Sequence, residues 1–175
     1  MKLNSHQLRQ SRVGDSQKNQ PLVKRHPIVL VLDNVLDTYN IGSFFRLADA
    51  ISAQKLYLCG PVVTPPNIKI DRASVGTWKW LPWEQHLSTV DCLRQLKKDG
   101  YHLVACQPTK NSSPYTKAKY KFPVALVLGS ETDGISADVL KLVDQTVEIP
   151  LFGVNISLNV LVAASVISYD IIARL

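Results

Sequence analysis

Leu128-Gly129-Ser130-Glu131-Thr132-Asp133-Gly134 is followed by Ile149-Pro150-Leu151-Phe152-Gly153 and then by Ser157-Leu158-Asn159. Two apolar, strand-like runs each break into a turn rich in glycine, carboxylate and small polar residues, and an apolar helical segment follows. A third break lies upstream. There residues 28–32 lead into Asp33-Asn34-Val35 and then Tyr39-Asn40-Ile41-Gly42-Ser43-Phe44-Phe45-Arg46. Ligands bind where parallel strands end and helices begin, because turn amides and helix N-termini are unpaired there. Three such ends bearing Asn, Arg, Glu and Ser side chains point to an enzyme rather than a scaffold.

Strands and helices alternate around these breaks. Continuous apolar runs predict strands over residues 28–32, 55–59, 101–106, 124–128 and 146–149. Helical spacing predicts helices over 40–52, 88–98, 136–143 and 157–174, with Ser88 and Asp91 as a capping box and Gly100 as a stop. Residues 3–12 read as a short helix. Pro61, Pro65 and Pro66 make 60–73 a loop, 77–83 is a short extended segment, and 107–122 mixes loop with a helical turn. The alternation predicts an α/β fold with a mainly parallel sheet and helices on both faces.

The 175 residues, 46% hydrophobic, suffice for one well-buried core. Charge divides the chain further. Residues 1–26 carry six basic side chains against Asp15 alone, whereas residues 27–175 carry 14 basic and 13 acidic ones. The expected organisation is a basic, flexible arm (1–26) and a single domain (27–175). Such arms meet phosphate backbones, although a solvated leader would have the same composition. Cys59, Cys92 and Cys106 show no metal or disulfide spacing, so no metal is expected and a reducing, cytoplasmic setting is. Residues 154–173 are apolar enough to imitate a membrane span, but Asn155, Asn159 and Asp170 favour a buried or subunit-interface helix.

The chain has no Walker phosphate loop, dinucleotide glycine turn or serine-hydrolase elbow. His6, His26, His86 and His102 lie outside the polar turns, which leaves Asn40, Gly42, Arg46, Gly129, Glu131, Gly134, Ser157 and Asn159. A guanidinium in an apolar helix suits phosphate recognition, but Arg46 alone reads equally as a surface residue or a partner of Asp49. Ser157 reads as an N-cap for the last helix. Asn159, flanked by Leu158 and Val160, needs a polar partner.

Taken in order, Asn40-x-Gly42-x-x-x-Arg46, Leu128-Gly129-Ser130-Glu131-x-x-Gly134 and Ile149-Pro150-x-x-Gly153-x-x-x-Ser157-Leu158-Asn159-Val160 resemble the SpoU/TrmH-type RNA ribose 2′-O-methyltransferases of the SPOUT superfamily. Ser74-Val75-Gly76 matches that family's small-residue segment, and the likeness covers residues 28–173. The resemblance implies a C-terminal trefoil knot, a homodimer and S-adenosylmethionine as cofactor. It implies cofactor contacts from Gly129, Ile149 and Leu158, with Cys106 and Gln107 near. Arg46, Asn40, Glu131, Ser157 and Asn159 would form the catalytic group. Arg46 would act either as a base or as an orienting and oxyanion-stabilising cation; a free guanidinium, with a pKa above about 12, is a very weak base. RNA, transfer RNA ahead of ribosomal RNA, would meet Arg9, Arg12, Lys24 and Arg25 of the arm. Lys110, Lys117 and Lys119 would contact it beside Tyr115 and Tyr120. The competing reading is a non-catalytic RNA-binding or assembly protein on the same fold.

Overall fold

Residues 28–32 form the middle of β1 (His26–Asp33), the central strand, in which every residue from Ile28 to Asp33 is buried. In the computed structural model, which describes residues 2–13, 15 and 24–175, β1 joins a seven-stranded sheet. The others are β2 (Ala53–Cys59), β3 (Trp83–His86), β4 (His102–Cys106), β5 (Ser113–Pro114), β6 (Val124–Gly129) and β7 (Gln145–Glu148). Their order is β3-β2-β1-β6-β4-β7-β5, and every pairing between strands is parallel.

The continuous apolar runs have a direct cause: helices cover both faces. Ile28, Leu30 and Leu32 pack with α2 (Thr38–Ala50), α3 (Ile68–Ser74) and α6 (Val160–Ile172). Val29 and Val31 pack with α4 (Thr89–Lys98) and α5 (Ala137–Leu140) on the other side. Phe44 and Phe45 of α2 are wholly buried, and each such side chain stabilises the fold by roughly 2–3 kcal/mol. The predicted α/β class is the one observed.

Four expectations need correction. Residues 60–73 are not all loop, because Asn67, just past the last proline, caps α3 by accepting from Lys69 N at 2.9 Å and Ile70 N at 3.2 Å. Of residues 77–83 only Trp83, the first residue of β3, is in a strand. Thr77–Lys79 form a 3₁₀ turn wound onto α3, with Trp78 Nε1 donating to Asp71 at 2.8 Å. The last helix starts at Val160 rather than Ser157, because Asn159 is its cap, accepting from Leu161 N at 2.9 Å and Val162 N at 3.4 Å. The helix expected over 136–143 shortens to α5.

At the N-terminus a capping box between Asn4 and Gln7 opens α1 (Ser5–Gln10). This helix lies against the domain: Trp80 Nε1 donates to Ser11 Oγ at 2.7 Å, and Lys79 Nζ to the Arg9 carbonyl at 2.9 Å. The middle of the basic arm, residues 16–23 with Lys18, lies outside the described residues.

A half-exposed ion pair adds pH-dependent stability. Asp144 accepts from Lys97 Nζ at 2.7 Å and from Leu103 N at 2.9 Å. Burial pushes its carboxyl up, but these hydrogen bonds outweigh burial and hold it below the usual value. A carboxyl lowered in the folded state stabilises above its unfolded pKa and loses that contribution as pH falls through the folded one. Asp144→Asn is therefore expected to lose about 1 kcal/mol at pH 7 in urea unfolding, discounted for solvent screening at Lys97. The gap from wild type should begin to narrow below about pH 4 and keep narrowing as pH falls further; a gap of equal size at pH 3 would assign the effect to packing.

Candidate active site

The carboxyl ends of β4, β6 and β7 converge on one open cleft of ≈ 490 Å³, closed on the remaining side by residues 149–159 and the start of α6. β6 supplies its floor. After Gly129 the chain turns back, with Ser130 N donating to the Gly134 carbonyl at 3.1 Å and Gly134 N to the Ser130 carbonyl at 3.0 Å. A Cβ at Gly129 would overlap the Gly134 carbonyl and Ile135 N, so only glycine lets the turn fold back this closely. Gln107, at the end of β4, braces this turn by accepting from Ile135 N at 2.6 Å through Oε1.

Beneath it lies Asp33, 1% exposed and unassigned by the motif reading. Its carboxylate accepts from Thr89 Oγ1 at 2.6 Å, Asn34 Nδ2 at 2.9 Å and Ser136 N at 3.0 Å. One buried acid thus ties β1 to the starts of α4 and α5. The available signal was an aspartate ending an otherwise apolar strand, since a buried carboxylate requires several donors.

All five residues expected to hold the cofactor, Cys106, Gln107, Gly129, Ile149 and Leu158, line this cleft. Glu131, Ser157 and Asn159 line it too. Asn40 does not, yet it joins the two walls. Its Nδ2 donates to Glu131, and its Oδ1 accepts from Asn159 Nδ2 at 3.5 Å. Asn159 therefore answers the need for a partner and caps α6 as well. Ser157 sits in the exposed segment before α6 and plays no part in the cap.

Arg46 stands apart. It is exposed, outside the cleft, and has neither a hydrogen bond nor an ion pair among the described residues. Six residues beyond Asn40, it lies about 9 Å further along the α2 axis. The alternative pairing with Asp49 is not what forms, because the cation near Asp49 is Arg25. Burial raises the Asp49 carboxyl, against the pull of Arg25. The motif glycine within α2 has a packing cause: a Cβ at Gly42 would come within 2.8 Å of the Ile70 carbonyl, where α3 packs on α2.

Chemically, the cleft offers backbone from three turns, apolar walls at Ile149, Leu158 and Ala163, and carboxylates at Glu131 and Glu148. Burial pushes the Cys106 thiol up to about 12, so at neutral pH it is a wall rather than a nucleophile. Size and chemistry suit a nucleoside-bearing ligand with a charged arm, as S-adenosylmethionine is.

The surrounding sequence agrees. Residues 27–169 match the model of the SpoU rRNA Methylase family. The chain belongs to this family, and with it to the S-adenosylmethionine-dependent RNA methyltransferases. It is 30% identical over 148 residues to the tRNA (guanosine(18)-2′-O)-methyltransferase of Aquifex aeolicus, covering 84% of this chain and 69% of that one. The AdoMet-bound rRNA methyltransferase from Sinorhizobium meliloti superposes with a TM-score of 0.81 at 25% identity, over 96% of this chain and 60% of that one. The TrmH/SpoU tRNA modifying enzyme of A. aeolicus does so with a TM-score of 0.80 at 27% identity, over 91% of this chain and 83% of that one.

The residues expected to meet RNA divide. Arg9, Arg12, Lys24, Lys110, Lys117 and Lys119 are exposed. Arg25 is not available, because its guanidinium donates to the Ala53 carbonyl at 2.9 Å and the Trp80 carbonyl at 3.1 Å. Burial lowers its pKa despite Asp49, as fits a structural cation. The two tyrosines are also committed to the fold. Tyr115 packs on the core, and Tyr120 donates to Asp170 at 3.1 Å with its ring 5.3 Å from the Arg174 guanidinium. The lysine loop therefore presents charge without the expected stacking surface.

Proposed function

We propose that this chain transfers the methyl group of S-adenosylmethionine to a ribose 2′-hydroxyl of structured RNA, with transfer RNA as the preferred class. The observation that carries the proposal is the Asn159–Asn40–Glu131 bridge, which sets three amide and carboxylate groups at the mouth of a nucleoside-sized cleft. The tRNA preference is supported by the names of two of the relatives above. S-Adenosylmethionine, when bound, supplies an electrophilic methyl on sulfonium. Gly129, Ile149 and Leu158 would hold it through backbone and apolar contact, and Gln107 would keep the Gly129 turn in shape.

The reaction forms a carbon–oxygen bond, breaks a carbon–sulfur bond and releases the hydroxyl proton. The chain's own task is to aim the ribose oxygen and favour the charge that develops on it. Asn40 and Asn159 orient the nucleotide, Glu131 fixes Asn40, and Ser157 borders the ribose. Arg46 meets the adjoining phosphate and the developing oxyanion. Its distance from this chain's cleft is answered by a homodimer, in which each Arg46 serves the partner's cleft. The same dimer would cover Phe152, Val154 and Ile156, which are 97%, 101% and 89% exposed, together with Tyr169 of α6. A patch of this kind marks an interface. We read residues 124–172 as the family's trefoil knot.

Arg9, Arg12, Lys24, Lys110, Lys117 and Lys119 supply a phosphate-facing rim. Among the described residues no helix is long and apolar enough to cross a membrane. Cys59, Cys92 and Cys106 are all free thiols, which supports a cytoplasmic setting.

Incubating the protein with methyl-labelled S-adenosylmethionine and bulk RNA tests the reaction. A 2′-O-methyl group blocks alkaline cleavage at its own phosphodiester, so the label is expected in alkali-resistant dinucleotides. Label in mononucleotides would place methylation on a base. No label, with RNA still bound, would favour the assembly-protein reading.

A further inference from the structure

The mechanism above leaves one charged group of the cleft unused. Glu148 is the last residue of β7, half-buried, and it lines the cleft next to Ile149. Val147 points into the core beneath α6, so the alternation of the strand turns Glu148 the other way, toward the loop after β4. There it is held in place. Ser112 Oγ lies 2.6 Å from Glu148 Oε2 and 2.8 Å from the Thr109 carbonyl, with its one proton going to the nearer, charged carboxylate, and it accepts from Thr109 N at 3.0 Å, which anchors it in a tight turn. The other oxygen, Oε1, has no hydrogen-bond partner among the described residues. A carboxylate offers about four acceptor sites, and Ser112 occupies one.

Its place along the cleft narrows what it can bind. In the strand order β6-β4-β7, Glu148 stands two strand spacings, about 10 Å of backbone, from β6, whose outgoing turn carries Glu131 to its contact with Asn40 of α2. The methyl group must lie at the Asn40 and Glu131 end. Glu148 therefore faces the adenosine half of the ligand rather than the transferred methyl, among the apolar walls at Ile149 and Leu151 that suit adenosine. In that half of the molecule the ribose 2′,3′-diol offers two adjacent hydroxyl donors. A carboxylate at a strand end is a suitable receptor for them.

We infer that Glu148, positioned by Ser112, is the receptor for the 2′,3′-diol of the cofactor's adenosine. The assignment rests on the methyl-donor reading given above. It makes Glu148 a binding residue that discriminates ribose from deoxyribose, with no part in the proton chemistry.

Calorimetry on the full chain separates the possibilities. The probes are S-adenosylmethionine, 5′-methylthioadenosine, which lacks the amino-acid arm, and the 2′-deoxy form of 5′-methylthioadenosine. Glu148→Ala is expected to raise Kd roughly tenfold for the first two and by a smaller factor for the deoxy probe, which keeps only the 3′-hydroxyl, so that the wild-type preference for ribose shrinks. Glu148→Gln should fall between, and Ser112→Ala should weaken binding by a smaller factor, with circular dichroism unchanged in all three. Loss of S-adenosylmethionine affinity with 5′-methylthioadenosine unaffected would move the contact to the amino-acid arm and overturn the assignment. So would a Glu148→Ala protein that binds as tightly as wild type. If wild-type protein binds none of the probes, the methyl-donor reading fails, and this inference fails with it.

Discussion

Arg46→Ala is expected to bind S-adenosylmethionine with wild-type affinity and to lose roughly 10²–10³-fold in methyl transfer. The two halves of this result come from one geometric fact. Arg46 lies outside the cleft and makes no hydrogen bond or ion pair among the described residues, so its removal leaves the cofactor walls and the fold intact. A cation that contacts only the RNA phosphate and the oxygen that becomes charged contributes mainly in the transition state, so kcat should fall. Arg46→Lys should recover little, because a point charge does not reproduce a planar fork of donors. Calorimetry with the cofactor and single-turnover transfer to RNA check the two halves separately. A variant with wild-type turnover would remove Arg46 from the site. One with lost cofactor affinity would place it in the wrong role.

Gly129→Ala is expected to do the reverse, abolishing cofactor binding and destabilising the fold by about 2–3 kcal/mol. A methyl group there would run into the Gly134 carbonyl and Ile135 N, backbone atoms that no rotamer change can move aside. Relief requires opening the Ser130–Gly134 bridge and the Ile135 bond to Gln107, which together shape the cleft floor. Gly153→Ala is the matched control, since an added Cβ there meets nothing within 4 Å. Urea unfolding of both proteins, with cofactor titration, makes the comparison. Equal behaviour of the two variants would mean that the turn yields easily and that Gly129 does not set the floor.

Much of this architecture was legible in the chain. Strands buried on both faces need uninterrupted apolar runs, and residues 28–32 and 124–128 provide them. The three polar turns could be placed at strand ends because the runs stop where the turns begin. Features that depend on competition between neighbours were harder to read. Ser157 and Asn159 are both competent caps, and only the path of the chain makes Asn159 the one that accepts from Leu161 and Val162. Asn67 escaped notice behind three prolines whose restriction ends at Pro66.

Long-range partners were the least legible. Arg25 looks like its basic neighbours until two carbonyls, from Ala53 and Trp80, are found to hold it. Gln107 looks like a loop residue until Ile135 folds back onto it. Arg46 was singled out by its motif, but the sequence does not reveal that it lies outside the cleft of its own chain. Glu148 read as an ordinary strand residue, because its interest comes from Ser112 and from the cleft wall.

The central claim is that a ribose hydroxyl of RNA receives the methyl group. Its most direct test is nucleoside mass spectrometry of transfer and ribosomal RNA from cells with and without the gene. The account predicts that one 2′-O-methyl nucleoside disappears from transfer RNA, returns with the wild-type gene and does not return with Arg46→Ala. An unchanged set of ribose-methylated nucleosides in both RNA classes would contradict it.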